Sequence, residues 1–280
     1  MGPLMQRRQQ AGFFGLLALF ATWPWISALW STEEHHEAFA YPARLARTTR
    51  RAQTFGTQRY WEEFYAGDTA DAEEFEWFCG YEDLRPFFRH FADSLISRTN
   101  TTRLLMAGCG NSKLSFEVYD DLVASEGLPV DIWNVDYAQA ALQRLRGIAE
   151  GRVMNWAVAD LTQLSEEDFP TATFDLVLDK GTMDALFCAG PASVAAAARE
   201  MHRILRPGGR MIMVSGVPPA KDVLEAFKGR WTVLADGSPF IMDDGEATIN
   251  LRAHFYVFER PESSPEGSLV PSPHEQRTEL

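Results

Sequence analysis

Four short runs in the middle of the 280-residue chain carry residue types that hold and position small ligands. The first is Ala107-Gly108-Cys109-Gly110-Asn111-Ser112, whose two glycines let the backbone approach a ligand where a Cβ would clash. Asp136-Tyr137 follows 26 residues after Gly110, and Asp160-Leu161 follows 24 residues after Asp136. A carboxylate at Asp136 suits the paired hydroxyls of a ribose. One at Asp160 suits an exocyclic amine, with Leu161 covering a flat ring. The fourth run, Asp179-Lys180-Gly181-Thr182-Met183-Asp184-Ala185, sets two more acids around a glycine turn. Asp179 and Asp184 can aim carboxylates at a cationic or hydrogen-bond-donating group. Lys180 reads either as a solvated residue or as a partner of one of those acids. Any single Asp can equally cap the helix that follows it; an ordered pair behind a Gly-x-Gly loop is the more specific signal.

A parallel sheet is what would position these loops. Apolar runs at Arg103–Ala107, Val130–Val135, Val153–Val158, Phe174–Leu178 and Met211–Val214 read as strands. The spacing predicts helices over Lys113–Glu126, Ala138–Glu150, Ser193–Leu205 and Ala220–Gly229. Hydrophobicity that runs on without alternating implies strands covered on both faces, hence an α/β, doubly wound sheet. Trp231–Ala235 and His254–Phe258 predict a terminal hairpin, and Pro207-Gly208-Gly209 a turn into the fifth strand. Ligands of such sheets bind beyond the carboxyl ends of the strands, where all four runs fall. NAD enzymes share the glycines and the first acid. The missing third glycine (positions 111–113 read Asn-Ser-Lys) and the second acid favour S-adenosylmethionine (SAM).

Composition excludes several classes. There are 39 acids against 26 basic residues, a net charge of −13, which argues against a nucleic-acid binder and makes basic partners electrostatically easier. Cys79, Cys109 and Cys188 form no CxxC pair and the histidines are scattered, so neither a disulfide framework nor a metal site is expected.

Three parts are expected. Residues 1–57 read as a leader. Arg7–Arg8 precede the uncharged stretch Ala11–Trp30, and an Arg-rich, acid-free segment follows from Tyr41. This layout fits a bipartite plastid leader or a signal anchor. The protein is therefore expected in a membrane-bounded organelle (plastid, ER or mitochondrion left open) or held at a membrane through the apolar segment. A disordered N-terminus of a cytoplasmic protein is the alternative. Residues 58–260 make the folded domain. The Pro/Ser/Glu-rich residues 261–280 make a disordered tail, whose final Arg-Thr-Glu-Leu is taken as chance.

The four runs, with Tyr60-Trp61-Glu62-Glu63-Phe64-Tyr65 and Phe75-Glu76-Trp77-Phe78-Cys79-Gly80-Tyr81, resemble class I SAM-dependent methyltransferases. Within these the chain is similar to the group that methylates lysines or the N-terminus of elongation factor 1-alpha and related proteins. The resemblance covers nearly the whole middle part. It departs at Met183, where the group usually has Leu or Phe, and in the apolar leader. It implies a seven-stranded sheet with an antiparallel last strand. It also implies SAM as cofactor, held by Gly108, Cys109, Gly110, Asn111, Asp136, Tyr137, Asp160, Leu161 and Asp179. Trp61, Tyr65 and Trp77 would close it from the N-terminal side, although aromatics at helical spacing are as readily core.

On this reading Asp179 and Asp184 face the methyl acceptor, most simply a lysine of a basic protein. A small-molecule acceptor, or a scaffold without catalysis, is the alternative. Carboxylates near an amine raise its pKa, so these two would orient the acceptor rather than deprotonate it. Trp61–Asp93 holds ten acids and two arginines, either a surface that attracts a basic partner or a merely solvated acidic face.

Overall fold

The computed structural model describes residues 55–67, 76–216, 221–238 and 253–262. The leader stretch Ala11–Trp30, Glu73 and Glu74, and the tail beyond 262 lie outside the described residues. Among the described residues no helix is long and apolar enough to cross a membrane.

Seven strands form one sheet: β1 Thr102–Ala107, β2 Val130–Asp136, β3 Asn155–Val158, β4 Phe174–Lys180, β5 Leu205–Ser215, β6 Thr232–Asp236 and β7 His254–Glu259. Their order is β3-β2-β1-β4-β5-β7-β6, so the chain starts at the centre, builds outward to β3, and returns to the other side. β7 runs antiparallel to both its neighbours, and the pairings from β3 across to β5 are parallel. The switch point lies between β1 and β4, where two successive connections leave in opposite directions.

Both faces are covered, as continuous apolar strands require. Leu104, Met106, Ile132, Leu176, Leu178, Ile212 and Val257 pack on one face against helix α2 (Tyr81–Ala92) and α3 (Leu114–Tyr119). Leu105, Ala107, Val177, Met211, Met213 and Phe258 pack on the other against α5 (Thr182–Ala189), α6 (Pro191–Ile204) and α7 (Lys221–Phe227). Among the described residues the two remaining α-helices are α1, Gln58–Ala66, and α4, Gln139–Gly147.

Five elements differ from expectation. α1, α2 and α5 are additional helices. α2 carries Pro86 in its interior, which disguises it as a loop, and α5 is apolar nearly all round, so no stripe marks it. The expected helix after β1 passes from α3 into a π-helical turn at Asp120–Ser125. Finally, Pro207-Gly208-Gly209 lies within β5 rather than before it, at a register shift against β4, with Gly208 at φ +73°.

Candidate active site

The loop after β1 turns back on itself because Gly108 and Gly110 take φ of +58° and +54°, where a side chain is strained. A Cβ at Gly108 would overlap the Thr182 side chain, and one at Gly110 would overlap the Tyr65 hydroxyl. The glycines therefore serve loop-to-loop packing as well as the open face of the turn. Thr182 Oγ1 donates to the carbonyls of Ala107 (2.9 Å) and Gly108 (3.2 Å), fastening the end of β4 to the end of β1.

Asp136 is buried beside this loop. Its Oδ2 accepts the Gly110 N–H and its Oδ1 the Ala138 N–H, each at 2.8 Å. Burial raises its pKa to about 6 against the pull of these two donors, and nearby Glu62 adds to the rise. Tyr137 follows it along the cavity wall. Glu62 reaches from α1 to accept the N–H groups of Gln139 and Ala140, capping α4, whose own N-cap residue Ala138 has no side-chain acceptor. Asp160 is half-buried. It accepts from Thr162 N–H (2.8 Å), Thr162 Oγ1 (2.7 Å) and Gln163 Nε2 (3.1 Å), an Asx turn that holds Leu161 against the cavity. No helix follows it, so the helix-cap alternative does not apply to this acid.

The two acids of the fourth run separate. Asp184 lines the cavity and its Oδ1 accepts the Gly216 N–H at 2.9 Å. Asp179 does not line it. It is fully buried, accepts the Met183 N–H (3.1 Å) at the start of α5, and is held well above the ordinary carboxylate range by burial and by Asp184. The expectation that Asp179 faces cofactor and acceptor is corrected accordingly. Its carboxyl is spent on the turn at Gly181, φ +88°, which swings the next residues into the cavity. Asp179→Ala should therefore cost about 1–3 kcal/mol of stability, read as a lower denaturation midpoint, through unsatisfied backbone donors.

One cavity collects the rest. Gly108, Cys109, Gly110, Asn111, Asp136, Tyr137, Asp160 and Leu161 line it from the ends of β1–β3, with Asp184 from α5. Trp61, Tyr65 and Trp77 close it from the N-terminal side. Trp61 stacks on Tyr65 (5.8 Å between centroids), meets Trp77 edge-on (6.2 Å), and donates from Nε1 to the Phe55 carbonyl (2.6 Å). Phe55 and Gly56, read from sequence as leader, thus pack on the domain; a Cβ at Gly56 would strike the Ala189 backbone.

Sequence reasoning quoted Glu76, Phe78, Ser112 and Thr182 within its motifs without giving them a role, and left Lys180 open. Lys180 pairs with Glu76 rather than with Asp179 or Asp184. Phe78 sits at φ +65° with its ring over Gly181 and Gly216, whose missing Cβ atoms make room for it. A strap residue followed by two aromatics, set opposite glycines 103 and 138 positions on, leaves no periodic signal.

Two cysteines line the cavity, yet burial pushes Cys109 well above its usual value and Cys188 up to about 11. Both stay as thiols at neutral pH, so neither is an activated nucleophile. Among the described residues no group of three or more His, Cys, Asp or Glu is placed to hold a metal.

The model of a methyltransferase-domain family matches residues 98–246, more than half of the chain. The cattle (Bos taurus) EEF1A lysine methyltransferase 4 is 31% identical over 172 residues, covering 58% of this chain and 61% of that protein. The mouse (Mus musculus) eEF1A lysine and N-terminal methyltransferase is 32% identical over 169 residues, 59% of this chain and 21% of that one. The chain thus spans less than two thirds of either relative. A solved protein from work on conversion of a disulfide bond into a thioacetal group during echinomycin biosynthesis shares the fold, with TM-score 0.50 and 19% identity over 74% of this chain and 94% of its own. Fold, loop placement and the extent of the family match converge: the chain belongs to the methyltransferase-domain family.

Proposed function

We propose that the domain is a SAM-dependent methyltransferase whose acceptor is a lysine side chain on a basic protein surface. The observation that carries this reading is the division of the cavity. Carboxylates Asp136 and Asp160 with Leu161 edge the β2–β3 side, while Asp184 and the rings of Trp77 and Phe78 edge the β4 side. The first set matches the hydroxyls, amine and flat ring of an adenosine. The second matches an amine on an apolar stem. Lys180 is the cavity's cationic residue among the described residues and Glu76 neutralises it, which suits a cationic ligand better than a dinucleotide pyrophosphate. The names of the two relatives favour lysine on a protein.

When bound, SAM supplies an electrophilic methyl group on a sulfonium. The chain's part is to hold and exclude. The loop at Gly108–Ser112 and Asp136 bind, the aromatic wall keeps water out, and Asp184 orients the acceptor nitrogen. An anionic Asp184 favours the ammonium form of that amine, so the proton leaves to water at the mouth. Asp184→Asn, which keeps the Oδ1 acceptor for Gly216, should lower kcat at least about tenfold while SAM affinity by calorimetry stays within about twofold. A parallel loss of SAM affinity would move Asp184 to the cofactor.

Among the described residues of the acidic segment, several acids are already engaged. Glu62 caps α4, Glu76 pairs with Lys180, and Glu63 pairs with Arg59. Among the described acids of this segment, Glu82 and Asp83 are exposed at the start of α2 and face an incoming partner. Reversing both to Lys should raise KM for a basic protein a few-fold and flatten its salt dependence; an unchanged salt slope would leave them as solvated surface.

We further propose that Met1–Arg59 directs the protein to a membrane-bounded compartment. A fluorescent fusion of that segment should localise to an organelle, and a diffuse cytosolic signal would refute the claim.

A further inference from the structure

We propose that Glu76 and Lys180 form a charge-balanced latch that positions the Trp77–Phe78 strap over the cavity and sets its preference between the cationic cofactor and the neutral product left after methyl transfer. This rests on the methyltransferase reading above and assigns two positioning residues to it.

The geometry is specific. The Lys180 side chain is 3% exposed, and its Nζ donates to Glu76 Oε2 and to the Trp77 carbonyl (3.1 Å). Glu76 also accepts from Ser112 Oγ (2.7 Å) and the Lys113 N–H (2.9 Å). One carboxylate therefore joins the strap, the loop after β1 and the end of β4. The Trp77 carbonyl accepts the Cys79 N–H at 2.7 Å across Phe78 at φ +65°, a strained three-residue turn that persists only where its surroundings impose it. Lys180 is what holds that carbonyl from below. The strap's far end is fixed separately, because α2 begins at Tyr81 and Tyr81, Arg85 and Arg89 all bond Asp121.

Electrostatics supply the second half. Lys180 lines the cavity at the end of β4, the side expected to hold the sulfonium. An unpaired ammonium there would repel SAM, whose sulfur is cationic, but not S-adenosylhomocysteine, whose sulfur is neutral. With Glu76 in place the pair is neutral, and the cationic ligand enters without that repulsion. A purely structural strap would treat the two ligands alike.

The test is calorimetry of the full chain with SAM and with S-adenosylhomocysteine, for wild type, Glu76→Gln and Lys180→Met. Glu76→Gln should shift the SAM-to-S-adenosylhomocysteine affinity ratio about tenfold against SAM, the size expected for one unit charge a few ångströms away in a partly solvated cavity. Lys180→Met should shift it the opposite way, and the double variant should return it towards wild type. Either single variant suffices if the other fails to fold. Wild type that binds neither ligand would overturn the methyltransferase reading and the latch with it. Wild type that binds both, with ratios unchanged in the variants, would overturn the latch alone.

Discussion

Asp136→Ala should weaken SAM binding by about 1.5–3 kcal/mol, roughly ten- to a hundred-fold, through loss of charge-assisted hydrogen bonds to the ribose. The structure adds a reason to expect the upper half of that range. Asp136 also fixes the Gly110 and Ala138 N–H groups, so its removal loosens the loop that meets the ligand. The same residue predicts a pH dependence. Its pKa in the ligand-free fold is about 6 against 3.8, and hydroxyl donors from a ribose favour the ionised form. SAM affinity should therefore fall as pH drops below about 6, by up to tenfold per unit, and Asp136→Asn should flatten that slope. Folding stability runs the other way. A raised carboxyl pKa contributes stability that is fully present below 3.8 and lost as pH rises through about 6. The ligand-free protein should gain from this group on mild acidification, and the thermal shift produced by SAM should be larger at pH 7.5 than at pH 5.5. Equal calorimetric affinity for folded Asp136→Ala and wild type would remove Asp136 from the site.

Gly108→Ala should be the most damaging single methyl in the domain, destabilising it by about 2–5 kcal/mol. Part is the cost of a side chain at φ +58°, and part is overlap with Thr182. The two parts separate in a double-mutant cycle. In a Thr182→Ala background the clashes with Oγ1 and Cγ2 are removed and only the Cβ contact at 2.8 Å remains, so the added cost of Gly108→Ala should fall towards, but stay above, the backbone part of about 1–2 kcal/mol. Denaturant midpoints for the four proteins check this. Strictly additive losses would show that Thr182 is not what excludes the methyl.

The sheet is legible in the sequence because its central strands are apolar on both faces, a pattern that survives without any partner in view. Leu104 and Met106 face one helical layer, and Leu105 and Ala107 the other. The loop acids are legible because each stands at or within four residues of the carboxyl end of a strand. Their aim is not. Asp179 and Asp184 lie five residues apart with the same chemistry, and only the left-handed turn at Gly181 sends one to the backbone and the other to the cavity. Glu76 is illegible for another reason. Its partner Lys180 is 104 residues away, and its charge is hidden in a run of acids that looks like solvated surface.

Transfer of labelled methyl from SAM is the most direct test of the central claim. The full chain is incubated with methyl-labelled SAM and a cell lysate, and protein is separated from small molecules. The account predicts label in protein, recovered as methylated lysine after hydrolysis and reduced at least tenfold with Asp136→Ala. Label confined to the small-molecule fraction, or transfer to protein that is no greater than without the enzyme, would contradict it.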